Sequence, residues 1–211
     1  MTLDLISLSI RPQGGAPLFA PVSLCVAAGE VATVMGPSGI GKSTLLDAIG
    51  GHLSPAFTLL GDVRLNGRSV IGLPAEARRI GLMFQEALLF PHLSVGDNLA
   101  FGLAAEVKGK AARRAAVEQA LLRAGLAGFY ARDPATLSGG QRARAALMRT
   151  LLAKPQALLL DEPFSRLDAG LRDDIRNFVF DHARQEQIPV LLVTHDSSDA
   201  DAAGGPVFNL R

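Results

Sequence analysis

Val31-Ala32-Thr33-Val34-Met35-Gly36-Pro37-Ser38-Gly39-Ile40-Gly41-Lys42-Ser43-Thr44 is the stretch on which the fold turns. Residues 31–35 form a short, mostly apolar run that fits a buried strand. The glycines of 36–41 follow directly and permit a tight turn whose successive N–H groups point inward, as a bound phosphate requires. Residues 42–49 then read as a helix that Gly50-Gly51 ends, and its dipole adds partial positive charge at the loop. In this setting Lys42 supplies a full charge for the β- and γ-phosphates, and the Ser43 hydroxyl, followed by Thr44, is a candidate Mg²⁺ ligand. A Gly-rich turn before an ordinary helix would need neither the preceding strand nor the Lys-Ser-Thr order.

A second helix start lies about a hundred residues downstream, at Leu137-Ser138-Gly139-Gly140-Gln141. Alone it is ordinary: Ser138 is a plausible N-cap, two glycines allow close backbone approach, and an apolar-periodic helix follows. Beside the first loop it gives the chain two phosphate-facing helix N-termini, whereas one nucleotide needs only one of them from its own subunit. Leu158-Leu159-Leu160-Asp161-Glu162-Pro163 places two carboxylates at the end of a buried strand. In open α/β sheets ligands bind at the carboxyl ends of strands. Asp161 suits a Mg²⁺ shell and Glu162 suits a proton acceptor for an attacking water. Gln85 closes the strand 79–84 and opens a helical block; its amide can touch both the Mg²⁺ shell and the water. His195 follows the strand 189–194 and can donate to a γ-phosphate or position the water. His52 and His182 read as surface or packing residues, and His92, in Phe90-Pro91-His92, as a protein-contact residue.

The remaining texture divides the chain. Strands are expected at 3–10, 18–27 and 62–65, the last followed by an Asn66-Gly67 turn. From about 86 to 150 alanine, leucine and arginine dominate, with helices expected at 95–103, 111–124 and after the second glycine motif. Strand 157–160, helix 171–187 and strand 189–194 complete the pattern. A helical block inserted in strand–helix–strand units argues an α/β core. With 211 residues, 48% hydrophobic and 19% charged, the chain can bury one sizeable core and is not a disordered tail. A net charge of +1 offers no footprint for nucleic acid, so no nucleic-acid partner is expected. The single cysteine, Cys25, excludes an internal disulfide and reads as a small buried residue. Polar residues interrupt the first strand, and no apolar run approaches the roughly 20 residues that span a bilayer, so a soluble cytoplasmic chain is expected, tied to a membrane only through a partner.

The order of these features resembles the ATP-binding subunit of an ABC transporter over nearly the whole chain. The segment 84–95 (FQEALLFPHLSV) is similar to the importer branch, and DPATLSGGQRAR at 133–144 with LLLDEPFSRLD at 158–168 to its short YnjD-like group. The resemblance implies a P-loop NTPase (RecA-like) core, an N-terminal antiparallel β subdomain and an inserted α-helical subdomain, forming one domain with core segments 1–85 and 154–211 and a helical segment 86–153. It implies ATP and Mg²⁺ as cofactors and a head-to-tail dimer with a second copy. Phosphate-loop residues Gly36, Pro37, Ser38, Gly39, Ile40, Gly41, Lys42, Ser43 and Thr44 would hold ATP against Ser138, Gly139, Gly140 and Gln141 of the other copy. Asp168 would link the two sites. Metal contacts would come from Ser43, Gln85 and Asp161, and catalysis from Glu162, His195 and Gln85. A membrane permease would dock near 86–96, with a periplasmic or extracellular solute-binding protein as an indirect partner, and the chain would sit peripherally on the cytoplasmic face of the plasma membrane.

Two departures stand out. No aromatic precedes Phe19, so Arg11 is the candidate to stack on adenine. Arg166 replaces a commonly small residue and either reaches the subunit interface or is a solvated loop charge. With sixteen residues after His195, no C-terminal regulatory domain is expected. An export cassette, or a soluble ATPase of the same superfamily, remains the alternative. The fifty or so residues between Gln85 and Leu137 are too few for the long coiled coil of a chromosome ATPase.

Overall fold

The computed structural model describes residues 1–165, 167 and 169–211, and only the backbone of Ala169; Arg166 and Asp168 lie outside the described residues. In chain order the elements are β1 (Leu3–Pro12), β2 (Val22–Val26), β3 (Val31–Met35), α1 (Lys42–Gly50), β4 (Phe57–Leu65), β5 (Arg68–Ser69), α2 (Ala75–Arg78), β6 (Ile80–Met83), α3 (Val95–Phe101), α4 (Lys110–Arg123), α5 (Gly139–Leu152), β7 (Ala157–Asp161), α6 (Ala169–Gln185), β8 (Val190–Val193), α7 (Ser197–Ala203) and β9 (Val207–Asn209). They form two units. The first comprises 1–82, 156–162 and 180–211, and the second 83–155 and 163–179.

The first unit carries two sheets. An antiparallel one runs β2-β1-β4-β5, and a five-stranded one runs β6-β7-β8-β3-β9. In the latter β3, β7, β8 and β9 are parallel where paired. Strands β7 and β8 read as unbroken apolar runs because helix-covered parallel sheets bury both faces. β2 alternates instead: Val22, Leu24 and Val26 point inward, while Ser23 and Cys25 point outward. Cys25 is therefore exposed, not buried, because the two-residue period of a one-sided strand overrides its apolar neighbourhood. The expected strand at 18–27 begins only at Val22; before it Leu18 donates to the Ile10 carbonyl at 2.8 Å and Phe19 is buried. β4 starts at Phe57, earlier than expected, and passes through Gly61, which lies opposite a bulge in β1. A Cβ at Gly61 would sit 2.5 Å from the carbonyl oxygens of Ile6 and Ser7, so only glycine continues the strand there.

One register fixes the functional edge. Val34 lies abreast of Val193, and Val193 abreast of Asp161. The next residues in each strand direction (Met35-Gly36, Glu162 and Thr194-His195) consequently leave the sheet at the same carboxyl edge. Beneath it α1 buries Leu45, Leu46, Ala48 and Ile49 in a core shared with Leu159, Leu191 and Val193.

The second unit is helical. α3 begins at Ser94, whose hydroxyl accepts from the Asp97 N–H, and α5 buries Ala143, Ala145, Ala146, Leu147 and Met148. Residues 163–179, expected with the core, pack here: Leu171 closes on Gly140, and the Arg144 guanidinium lies 5.1 Å from the Phe178 ring centroid. Among the described residues no helix is long and apolar enough to cross a membrane.

Candidate nucleotide-binding and coupling sites

In the first unit the sequence places a loop and a helix start where β3 ends. Gly41 is the N-cap of α1 in the left-handed region, φ 106°, and offers no side-chain cap. The first N–H groups of α1 are thus left for an anion, whereas the side chain of Ser138 closes the start of α5. Lys42 is 6% exposed, and its ammonium donates to the carbonyls of Gly36 at 2.9 Å and Pro37 at 3.1 Å. Two of its three protons are held by the loop itself, which keeps the charge at the loop mouth with one donor to spare. Leu18 and Phe19 pack against Gly41, and Arg11, exposed on β1, lies one residue from the Ile10 carbonyl that anchors Leu18.

Across the edge the Ser43 hydroxyl donates to the Asp161 carboxylate. Burial holds the Asp161 carboxyl above its usual range; the Glu162 charge adds to this, while the Ser43 hydrogen bond and the Lys42 charge oppose it. Asp47 is raised too, first by burial and then by Asp161, with His52 acting in the other direction. Hydroxyl and carboxylate oxygens around a phosphate loop form a donor set suited to a hard divalent cation. Glu162 sits in the left-handed region, φ 45°, and its N–H donates to the Val193 carbonyl at 2.9 Å. Such backbone costs a non-glycine residue about 1–3 kcal/mol and persists only where its surroundings enforce it. His195 Nδ1 lies 3.1 Å from Glu162 Oε1, an ion pair only when the imidazole is protonated. The first unit therefore gathers Lys42, Ser43, Asp161, Glu162 and His195.

The second unit holds Gln85 and the Ser138 motif. Gln85 is exposed, and its Nε2 donates to Ser165 Oγ at 3.1 Å, so its amide oxygen stays open. Ser138 caps α5 in a capping box: its hydroxyl accepts from Gln141 N–H at 3.3 Å, and Gln141 Oε1 accepts from Ser138 N–H at 3.0 Å. The two glycines differ. A Cβ at Gly140 would meet Leu171 Cδ1 at 2.5 Å, whereas one at Gly139 would meet only Leu167 Cδ2, at 3.9 Å. Gly140 thus serves packing within the chain, and Gly139 alone presents an open backbone face.

The second unit also carries a groove of about 430 Å³ whose lining includes Phe84, Gln85, Leu88, Pro91, Arg142 and Leu167. Phe84 and Leu88 are 51% and 57% exposed, unusual for large apolar side chains. Fully buried Asn98 fastens its floor, accepting from Phe90 N–H and donating to the carbonyls of Phe90, Leu93 and Ser94. Arg149 of α5 donates to the Leu88 carbonyl at 2.7 Å. Arg149 escaped the sequence reading because its bond spans 61 residues; the Asn98 bonds reach only four to eight residues, but they run into an irregular segment that carries no periodic signal. Asp47 had a readable signal: it lies four residues after Ser43, hence on the same helix face.

A model of the ABC transporter family matches residues 19–165. The chain belongs to this family, as an ATP-binding subunit that hydrolyses ATP. It is 54% identical over 185 residues to the uncharacterized ABC transporter ATP-binding protein YnjD of Escherichia coli, covering 88% of this chain and 85% of that one. It is 44% identical over 198 residues to the thiamine import ATP-binding protein ThiQ of Cereibacter sphaeroides, covering 94% and 83%. Among solved structures, a dimeric ATP-binding cassette in a post-hydrolysis state with ADP and Pi superposes with a TM-score of 0.80 at 29% identity, covering 99% of this chain and 94% of that one.

Proposed function

We propose that two copies of this chain close head to tail around two ATP molecules and drive a membrane permease that imports a small solute. The observation that carries this reading is the second helix N-terminus. Ser138 is exposed, Gly139 is open, and both sit on a unit that has no phosphate loop of its own. In the proposed dimer the Ser138 hydroxyl and the Gly139 N–H complete the γ-phosphate site formed by Lys42 of the other copy, while Gly140 and Gln141 hold that helix start in shape. Gly36 to Thr44 cradle the phosphates, and Arg11 stacks on adenine. Asp168 is proposed to link the two sites.

Ser43, Asp161 and the free amide oxygen of Gln85 would hold Mg²⁺, which neutralises charge on the β- and γ-phosphates. Glu162 accepts the proton of the attacking water, and His195, 3.1 Å from the Glu162 carboxylate, donates to the γ-phosphate or positions the water. The groove beside Gln85 favours a permease partner: segment 86–96 would receive a short cytoplasmic helix, and the same segment begins at the metal-contacting glutamine. The chain would lie peripherally on the cytoplasmic face, with a solute-binding protein acting on the far side. The relative named for thiamine import supports the import direction.

Glu162→Gln tests the chemistry. It should abolish turnover while leaving an ATP-stabilised dimer on a sizing column; normal hydrolysis by that variant contradicts the role of Glu162.

A further inference from the structure

His195 owes its aim to a short segment that a buried carboxylate closes. Thr194 and Asp199 are each 2% exposed. The Thr194 hydroxyl donates to Asp199 Oδ2 at 3.0 Å and accepts from the Asp196 N–H at 3.1 Å. One hydroxyl thereby ties the residue before His195 to the residue after it, and Asp199, in the first turn of α7, fixes the direction of that hydroxyl. Asp199 N–H in turn donates to the Asp196 carbonyl at 3.2 Å. On the sheet side, Thr194 N–H donates to the Val34 carbonyl at 3.3 Å, two residues before the phosphate loop. His195 is the one exposed member of this knot, with 57% of its side chain accessible, and it points at Glu162.

We infer that Asp199, acting through the Thr194 hydroxyl, is a positioning residue for His195 in ATP hydrolysis. The inference rests on the proposed role of His195 in turnover. A buried acid that only capped α7 could sit anywhere in the first turn. Here α7 already has a cap, because the Asp196 carboxylate accepts from the Ser198 N–H at 2.9 Å. The Asp199 carboxylate accepts from the hydroxyl that closes the His195 turn. Without that acceptor the hydroxyl is free to rotate, and its hold on the Asp196 N–H is lost with it. The imidazole then samples orientations that no longer meet Glu162. The adenine contact and most phosphate contacts are assigned to Arg11 and to residues 36–44, so substrate affinity is largely spared.

The test is a double-mutant cycle on the full-length chain with Mg-ATP. His195→Ala alone tests the underlying reading: unchanged kcat would remove the role of His195 and leave the inference without a basis. If His195→Ala lowers kcat, Asp199→Ala and Thr194→Val should each lower it about tenfold with KM for ATP within about twofold of wild type. Adding Asp199→Ala to His195→Ala should cost nothing further. Thr194→Ser and Asp199→Asn keep a hydroxyl and an acceptor oxygen and should stay within about threefold of wild type. Losses that multiply in the His195→Ala background, or equal losses in Thr194→Ser and Thr194→Val, overturn the inference. Should Asp199→Ala fail to fold, the Thr194→Ser and Thr194→Val pair decides it in the same way.

Discussion

The glycines at 139 and 140 should respond oppositely to the same substitution. In Gly140→Ala the new methyl lands 2.5 Å from Leu171 Cδ1 and 3.0 Å from its Cγ. Overpacking of this kind costs about 1–3 kcal/mol, while alanine in a helix regains about 0.5–1 kcal/mol over glycine. The net effect is a destabilisation of about 1 kcal/mol. In Gly139→Ala the methyl meets only Leu167 Cδ2 at 3.9 Å, an ordinary contact, so the helix gain stands without a steric loss. The two variants should then differ by roughly 2 kcal/mol, which for a chain of this size is about 4–8 °C in melting temperature. Differential scanning calorimetry of each full-length variant without nucleotide reads this directly. ATPase assays should give the reverse order of interest. Gly139→Ala, at least as stable as wild type, should lose turnover about tenfold or more, because its methyl intrudes where the other copy's γ-phosphate is proposed to approach. Equal melting temperatures would refute the packing role of Gly140, and full turnover in Gly139→Ala would refute the open-face role of Gly139.

Asp161 is held above its ordinary value, so the folded chain binds that proton more tightly than the unfolded chain does. Its contribution to stability is full below the unfolded value and is lost as pH rises through the folded one. Asp161→Asn should accordingly raise the melting temperature of the nucleotide-free chain near neutral pH, with the gain shrinking toward about pH 4, while abolishing turnover; a gain that does not change with pH contradicts this. Arg11→Ala should weaken ATP binding in a fluorescent-nucleotide titration, and unchanged affinity removes the stacking role. Arg149→Met leaves the Leu88 carbonyl without its 2.7 Å donor, and a bond of that charged kind contributes about 1.5–3 kcal/mol. The groove floor should loosen, read as faster amide exchange at 88–90 and smaller stimulation of turnover by the co-purified permease.

The strand–loop–helix at 31–50 was legible because every contact that defines it is local. The same holds for the α5 start, where Ser138 and Gln141 bond each other across three residues. The parallel core was legible from the apolar runs of β7 and β8. Three parts were not. β4 looked too short because Gly61 reads as a breaker until the bulge in β1 is known, and that bulge lies more than fifty residues away. α7 was hidden because Ser197–Ala203 consists of two serines, three alanines and two aspartates, with no apolar stripe, and is defined by its Asp196 cap. The groove floor was hidden because Arg149 and Leu88 are 61 residues apart, so neither side chain signals the other. Within the site, the chemistry-bearing residue types could be named from sequence, whereas the residues that aim them (Thr194, Asp199 and Ser165) appear only once the strand register is known.

The central claim is that each ATP site is built from two copies. Lys42→Ala removes the phosphate contact from one half-site, and Ser138→Arg blocks the other. Each variant alone should be inactive, since every site in either homodimer carries the defect. Mixed in equal amounts, they should form heterodimers in which one site has both Lys42 and Ser138 intact, and ATP turnover should reappear. A mixture as inactive as its two components, under conditions where the wild-type chain hydrolyses ATP and heterodimers form, would contradict the account.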